Sequence, residues 1–199
     1  KHCESRGSDT FGVSLKINNT NYVFKENQKP SESIIKKEYK NFFRDNLKPK
    51  DFDGTILIGQ TRLVTNGSKF SYENNQPLLT KNVIGIHNGI FTNLDYSDDK
   101  KTKNYESYNV KSDSLIFFEK LSEFAEKENF LEKYNEYLKD IRGNYSIAFK
   151  VKDENKLFLS SNCGSLYYYF DNDFFCFASE KNILLKYLHK SSLKKTKNI

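Results

Sequence analysis

The sequence predicts an α+β fold, a four-layer αββα sandwich in which two antiparallel sheets are stacked and helices cover their outer faces. Two observations lead to this prediction. Patterned segments follow one another as strands, a helix, strands, two helices and four strands. The last strands are apolar at nearly every position, which indicates that both faces of their sheet are covered. With 199 residues, 17 Phe and 13 Tyr, the chain has enough apolar material for one such core.

The first segment, "TFGVSLKINNTNYVFKE", alternates apolar and polar residues up to Ile17, breaks at Asn18–Asn21 and then resumes. This pattern predicts a β-hairpin. The next segment, "SESIIKKEYKNFFRD", follows Pro30 and predicts an amphipathic helix with Ser31 or Ser33 as its N-cap. Its apolar face would consist of four large side chains, those of Ile35, Tyr39, Phe42 and Phe43.

Two short apolar runs, "GTILIG" and "NVIGIH", are bounded by Gly and Asn and predict strands, with residues 66–77 as the loop between them. Helical spacing returns in "SDSLIFFEKLSEFAEK", with Ser112 as N-cap, and again in "NFLEKYNEYLKDI". Four strands follow, "GNYSIAFKV", "KLFLSS", "SLYYYF" and "FFCFAS", separated by turns near residues 153–155 and 171–173. They predict an antiparallel meander.

Composition narrows the class of protein. No apolar run approaches the ~18 residues of a membrane span, and no signal peptide pattern opens the chain. The three Cys residues lack metal-ligand spacing, so we expect reduced thiols, no disulfide or zinc site, and a cytoplasmic location. We interpret Cys163 and Cys176 as inert core fillers. Nothing in the sequence requires a cofactor.

The net charge of +6 is concentrated at one end, since residues 186–199 contain five Lys and no acid. We therefore divide the chain into a domain at residues 1–185 and a basic tail at residues 186–199. The tail could contact phosphate backbones, but it has no interleaved Arg or aromatic residues, so we favour a solvated terminus over a nucleic-acid partner.

Polar groups that could do chemistry lie where strands end or helices begin. They fall in four segments, "RGSDTFG" (Arg6–Gly12), "GQTRLVTNG" (Gly59–Gly67), "HNGIFTN" (His87–Asn93) and "KSDS" (Lys111–Ser114). Strand ends are where side chains commonly reach a ligand, so we expect these segments to meet.

Each candidate residue in these segments has two interpretations. Arg62 could hold a carboxylate through two hydrogen bonds, or pair with a local acid on the surface. Asn88 and Gly89 could form an oxyanion hole, or a hairpin turn. Asp113 could bind a substrate ammonium, or complement a helix dipole. His87 could be a general base, although a His that closes an apolar strand is more often a packed residue.

Together, these segments resemble motifs of the glutaminase domain of class II glutamine amidotransferases, which are N-terminal-nucleophile hydrolases. "RGSDTFG" is similar to R-G-x-D-x-x-G, "GQTRLVTNG" to G-H-T-R-x-x-T-x-G, and "HNGIFTN" to H-N-G-I-I-x-N. "SDS" is similar to the segment with the family's substrate-binding Asp. "RGNYSIAF" and "FASEKNIL" are similar to two later elements. The resemblance spans nearly the whole chain and implies the N-terminal-nucleophile type of αββα sandwich.

The resemblance implies hydrolysis of glutamine to glutamate and ammonia through a thioester, with the ammonia passed to an acceptor. Arg62 would then bind the α-carboxylate of glutamine and Asp113 its α-ammonium. Val64 and Thr65 would line the same pocket. Gln60 replaces the family's usual His, and the motifs mix features of two branches, so the acceptor is left open.

The resemblance also implies that Asn88 and the Gly89 N–H stabilise the tetrahedral oxyanion, and that the nucleophile is an N-terminal Cys. Cys3 is too close in sequence to Arg6 to be this nucleophile, so we expect the nucleophile in a segment outside the printed residues. The printed residues alone would then be inactive. Ammonia would pass to an acceptor domain or a synthetase partner chain. The alternative is a non-catalytic module on the same fold that binds glutamine or a partner.

Overall fold

A computed structural model of the protein describes residues 2–48, 54–64, 70–94 and 112–190. The strands are β1 (Thr10–Ile17), β2 (Thr20–Glu26), β3 (Ile56–Arg62), β4 (Leu78–Leu79), β5 (Val83–Phe91), β6 (Gly143–Val151), β7 (Phe158–Ser161), β8 (Tyr167–Phe170) and β9 (Phe175–Ala178). The helices are α1 (Pro30–Ser33), α2 (Lys37–Asn46), α3 (Asp113–Phe124), α4 (Phe130–Asp140) and α5 (Lys181–Lys190).

The described strands form two main antiparallel sheets. The first sheet has the order β2-β1-β3, and the second has the order β4-β5-β6-β7. The two sheets lie face to face, because Gln60 Nε2 of β3 donates to the His87 carbonyl of β5 and Lys16 Nζ of β1 donates to the Lys152 carbonyl beyond β6, each at 2.7 Å.

Helices cover the outer face of each sheet. On the first sheet, Tyr39 of α2 packs against Phe11 and Phe24, with ring centroids 5.6 and 5.5 Å apart. On the second sheet, the apolar face of α3 and α4 meets the side chains of β5 and β6, for example Phe118 against Phe149 at 6.2 Å. The predicted four-layer α+β sandwich is therefore confirmed.

The strand hairpin and the two long helices also agree with the sequence. Ser112 caps α3 as predicted, since its Oγ accepts the Leu115 N–H at 3.2 Å. The helix predicted after Pro30 differs from the observed structure. It is broken between α1 and α2, and Ile35, in the break, is 68% exposed. Neither predicted serine is an N-cap: Ser31 instead donates its N–H and hydroxyl to Glu4, and Ser33 lies inside α1.

The meander predicted for the last four strands is wrong. Only β6 and β7 join the second sheet, and β8 and β9 pair with each other as a separate two-stranded ribbon. One face of this ribbon is not covered within the described residues, as the 61% exposure of Tyr168 and the 68% exposure of Phe170 show. The apolar character of the strands therefore did not reflect burial on both faces.

The boundary predicted at residue 185 falls inside α5, which continues to Lys190 and packs on β8 and β9. Leu188, beyond the predicted boundary, is buried. The rest of the predicted tail, residues 191–199, lies outside the described residues. None of the helices in the described ranges has the length and apolar character needed to cross a bilayer.

Candidate active site

Three chain segments meet at one end of the sandwich. They are the end of β3 at Arg62, the end of β5 at Phe91, and the start of α3 at Asp113. Asp113 Oδ2 accepts the Phe91 N–H at 2.8 Å, and the Asp113 charge acts on the Arg62 guanidinium. The structure thus brings together residues that the sequence separates by about fifty positions.

Arg62 is a buried side chain, only 8% exposed, so its interpretation as a surface residue is excluded. Its Nη1 donates to Asn75 Oδ1 at 3.0 Å. Burial lowers the pKa of Arg62, and the nearby carboxylates of Asp113 and Asp9 oppose this effect. A buried guanidinium remains charged, so it provides a fixed positive site at the end of β3.

Asp113 is also buried, at 7% exposure, and opens α3. Its carboxylate accepts the Phe91 N–H and, at 3.2 Å, the Ser114 hydroxyl. The preceding residue is held as well, because the Ser112 N–H donates to Asn74 Oδ1 at 2.8 Å. Asp113 therefore does more than complement the helix dipole: it links α3 to the end of β5 and places a negative charge beside Arg62.

Asn88 and Gly89 lie within β5, which continues without a turn from Val83 to Phe91. The predicted strand end at His87 and the hairpin-turn alternative are both wrong, because Asn88 pairs with Ser146 and Gly89 with Tyr145 of β6. Gly89 has φ +140°, in the region that favours glycine, and a Cβ there would lie 2.0 Å from the Asn144 carbonyl oxygen.

Arg6 orients the side chain of Asn88. Its Nη2 approaches Asn88 Oδ1 at 3.5 Å, while Nη1 forms an ion pair with Glu180 at 3.1 Å. Because the carbonyl oxygen of the Asn88 amide faces Arg6, its NH₂ group is turned the other way as a donor. Sequence analysis assigned no role to Glu180, although it lies in the "FASEKNIL" motif.

Asp9 fixes the backbone that follows Arg62. Its N–H donates to the Arg62 carbonyl at 3.0 Å, and its carboxylate accepts the Val64 N–H at 2.8 Å. The Val64 N–H is therefore engaged within the protein. Thr65, predicted to line the same pocket, lies outside the described residues. The signal for Asp9 was present in "RGSD", but sequence analysis gave this residue no function of its own.

Two glutamines hold the peptide groups of His87, immediately before Asn88. Gln76 accepts the His87 N–H at 2.6 Å and donates to the His87 carbonyl at 2.9 Å, and Gln60 donates to the same carbonyl. The Gln76 side chain thus forms the hydrogen bonds that a neighbouring strand would form and fixes the middle of β5. Sequence reasoning missed Gln76, whose only signal is a polar residue beside Pro77.

His87 is packed, as the sequence favoured, with its ring stacked on Phe91 at 4.0 Å and Nδ1 2.7 Å from Ser114 Oγ. Burial lowers its pKa to about 4, although the Asp113 charge opposes this shift. A ring that is neutral at pH 7 and stacked in the core is a structural group. His87 therefore supports β5 and is not placed to act as a general base.

The depressed pKa of His87 predicts a loss of stability in acid. An unfolded His titrates near pH 6.5, so between about pH 6.5 and 4 the unfolded chain binds more protons than the folded chain. We expect this one group to reduce the free energy of unfolding by about 3 kcal/mol as pH falls through that window. Urea unfolding at several pH values measures the effect. His87→Asn should flatten the slope, whereas His189→Asn, at an exposed position, should not. Equal slopes in all three proteins would contradict this account.

All three cysteines are free thiols. Cys3 is partly buried, and burial raises its pKa, while its carbonyl accepts the Thr61 hydroxyl at 2.6 Å. Cys163 is exposed, so its interpretation as a core filler is wrong. The Ser146 hydroxyl lies 3.5 Å from the Cys163 sulfur and lowers its pKa to about 7. Cys176 is partly buried, and its pKa is raised by burial.

A cleft of about 330 Å³ adjoins this end of the sandwich. It is lined by Arg6, Ser165, Tyr167, Ser179, Glu180, Lys181 and Asn182. In the part of the chain that the structure describes, no group of three or more His, Cys, Asp or Glu side chains is arranged to hold a metal ion.

Comparisons with known proteins show which proteins this chain resembles. The glutamine–fructose-6-phosphate aminotransferase (isomerizing) of Listeria innocua is 27% identical over 186 residues, covering 92% of this chain and 29% of the relative. The same enzyme of Caldanaerobacter subterraneus is 28% identical over 161 residues, covering 79% and 24%. The chain spans less than a third of the length of the curated relatives it matches.

Two solved structures share the fold. The allosteric regulatory enzyme of purine biosynthesis superposes with a TM-score of 0.64 at 19% identity, over 92% of this chain and 38% of that chain. Glutamine phosphoribosylpyrophosphate amidotransferase from B. subtilis gives 0.58 at 16% identity, over the same shares. Residues 60–186 match the family profile described as the glutamine amidotransferase domain. The chain therefore belongs to the glutamine amidotransferase domain family, in its class II, N-terminal-nucleophile form.

Proposed function

We propose that this domain binds glutamine at the end of the sandwich and hydrolyses it to glutamate and ammonia for transfer to an acceptor. The observation that carries the proposal is the buried pair of opposite charges, Arg62 and Asp113. Free amino acids carry a carboxylate and an ammonium on one carbon, and a guanidinium beside a carboxylate complements both. Arg62 would bind the α-carboxylate and Asp113 the α-ammonium.

The amide end of glutamine would reach the end of β5. Asn88 Nδ2 and the Gly89 N–H would donate to the oxygen of the tetrahedral intermediate, where negative charge develops. Three contacts support this role: Arg6 turns the Asn88 amide, Gln76 fixes the preceding peptide, and Asn144 packs on Gly89. Donors held before the reaction need little reorganisation as charge appears.

The reaction requires a thiolate, which the family supplies from an N-terminal Cys. Its sulfur would attack the side-chain amide carbon, ammonia would leave, and water would hydrolyse the thioester to glutamate and restore the thiol. The raised pKa of Cys3 and the contact of its carbonyl with Thr61 favour a nucleophile other than Cys3. Val64 and Thr65 remain proposed as pocket residues.

The acceptor is proposed to lie in an adjoining domain or partner chain in the cytoplasm. The curated relatives and one solved structure are named for different acceptors, fructose 6-phosphate and phosphoribosylpyrophosphate. Since one fold accompanies both, the residues at this end of the sandwich are expected to select glutamine and leave the choice of acceptor to the adjoining protein.

Glutamine binding and glutamate release by the full-length protein test the proposal. We expect Asn88→Ala to reduce the hydrolysis rate by about 10²- to 10³-fold and to leave glutamine affinity nearly unchanged, because oxyanion donors act mainly in the transition state. Asn93→Ala, on the same segment, is the matched control. Binding without glutamate release by the unmodified protein would favour the non-catalytic module, and absence of binding would reject both functions.

A further inference from the structure

The layer between the two sheets contains two lysines that are completely buried. Lys16 of β1 and Lys150 of β6 both have 0% exposure. Side chains alternate along each strand, and Phe11 of β1 and Phe149 of β6 point to the outer helices. Lys16 and Lys150 therefore project from opposite sheets into the interior, near the end of β6 that is remote from Asp113.

The Lys16 ammonium is partly compensated by the turn after β6. Its Nζ donates to the carbonyls of Lys152 and Glu154, both at 2.7 Å. Burial lowers the pKa of Lys16, and the carboxylates of Asp153 and Glu154 oppose that shift. The positive charge of Lys16 thus has partners within the fold.

Lys150 has no such compensation. Among the described residues its Nζ has no hydrogen-bond partner. Burial, together with the smaller effect of the nearby Lys16 cation, lowers the pKa of Lys150 to about 7. The hydroxyl of Ser14, also at 0% exposure and on the same face of β1 as Lys16, likewise has no partner. Buried polar groups in folded proteins are almost always paired, so these unpaired donors indicate an acceptor that the described residues do not supply.

We propose that a small inorganic anion such as chloride binds between Lys16 and Lys150. A monovalent anion would accept hydrogen bonds from the Lys150 ammonium, reduce the repulsion between the two cations, and lie within reach of Ser14. Water could pair with these groups, but it would leave the positive charge of Lys150 uncompensated. The neighbours on the two facing strands, Ser14 and Ala148, are small, which suits a compact ion and not a bulky organic anion.

The inference goes beyond the proposed glutamine chemistry. Lys16 and Lys150 lie at the other end of the second sheet, and neither is a proposed active-site residue. Its predicted effect is on folding. An anion that binds only the folded state stabilises it by mass action, so a chloride concentration about nine times Kd should lower the unfolding constant about tenfold.

Urea unfolding at pH 6.5 and constant ionic strength, with sodium gluconate replaced stepwise by sodium chloride, tests the site. We expect the midpoint of the unmodified protein to rise and then saturate. Lys150→Met should abolish the rise, whereas Lys156→Met, which removes an exposed lysine of the adjacent turn, should preserve it. No rise in the unmodified protein, or the same rise in Lys150→Met, would overturn the proposal.

Crystals soaked in sodium bromide give a second measurement that does not depend on the folding of any variant. An anomalous peak between the Lys16 and Lys150 side chains is expected, and crystals of the unmodified protein with no bromide peak there would overturn the assignment.

Discussion

Replacing Arg62 with Met is expected to weaken glutamine binding by roughly 30-fold to several thousand-fold. Removing one partner of a buried, hydrogen-bonded charge pair costs about 2 to 5 kcal/mol, because the other charge is left without a counterion. Two negative charges would be affected in this protein: the α-carboxylate of glutamine would lose the partner proposed for it, and the Asp113 carboxylate would lose the nearby positive charge. Calorimetric titration with glutamine measures the change.

Two variants make this result specific. Arg62→Lys keeps the charge but not the planar fork, so it should bind more weakly than the unmodified protein and more tightly than Arg62→Met. Arg44→Met is the matched control, since Arg44 is an exposed arginine paired with Asp45 on α2. Circular dichroism and urea unfolding establish that each variant is folded. A folded Arg62→Met protein with unchanged affinity for glutamine would remove Arg62 from the proposed site.

Replacing Gly89 with Ala is expected to lower the free energy of unfolding by about 3 kcal/mol or more. The added Cβ would meet the Asn144 carbonyl oxygen at 2.0 Å, and the φ of +140° would be strained for any residue with a side chain. Relief requires β5 and β6 to separate where the oxyanion donors are proposed, so glutamine hydrolysis should fall as well.

A second variant, Gly164→Ala, distinguishes the cost of backbone strain from the cost of steric overlap. Gly164 also has a positive φ, +71°, but a Cβ there would have no atom within 4 Å. Gly164→Ala should therefore cost only about 1 kcal/mol, the strain of a left-handed residue. Chemical denaturation compares the two variants. Equal losses of stability would mean that contact with Asn144 does not determine the conformation of Gly89.

The sequence predicted well those helices and strands whose residue pattern depends on a single neighbouring element. The helix from Asp113 packs one face on one sheet, so its 3.6-residue period and its Ser112 cap were both informative. The hairpin of β1 and β2 is local in sequence and was equally clear. The motif resemblance predicts Arg62, Asn88 and Asp113 as site residues, and in the structure the Asp113 charge acts on the Arg62 guanidinium.

The predictions that failed concern residues whose environment is set by tertiary contacts. The polar pair at Asn88 and Gly89 interrupts an apolar run but not the strand, because β6 pairs along its whole length. Lys16 alternates with apolar residues as a solvent-facing lysine would, yet a second sheet covers it. Alternation shows only that the two faces of a strand differ. Likewise, the aromatic residues of β8 gave no indication that one of its faces is uncovered.

The order of the strands also has consequences for how quickly the protein folds. β5 pairs with β6 across the whole interval that contains α3 and α4, joining Val83 to Val151 and Phe91 to Gly143. Such pairings close long loops, and the chain loses conformational entropy before favourable contacts form. Domains that depend on these pairings therefore fold slowly. Until that closure occurs, Arg62, Asn88 and Asp113 belong to separate parts of a flexible polymer. The proposed binding of glutamine should therefore emerge only after this pairing has formed during refolding.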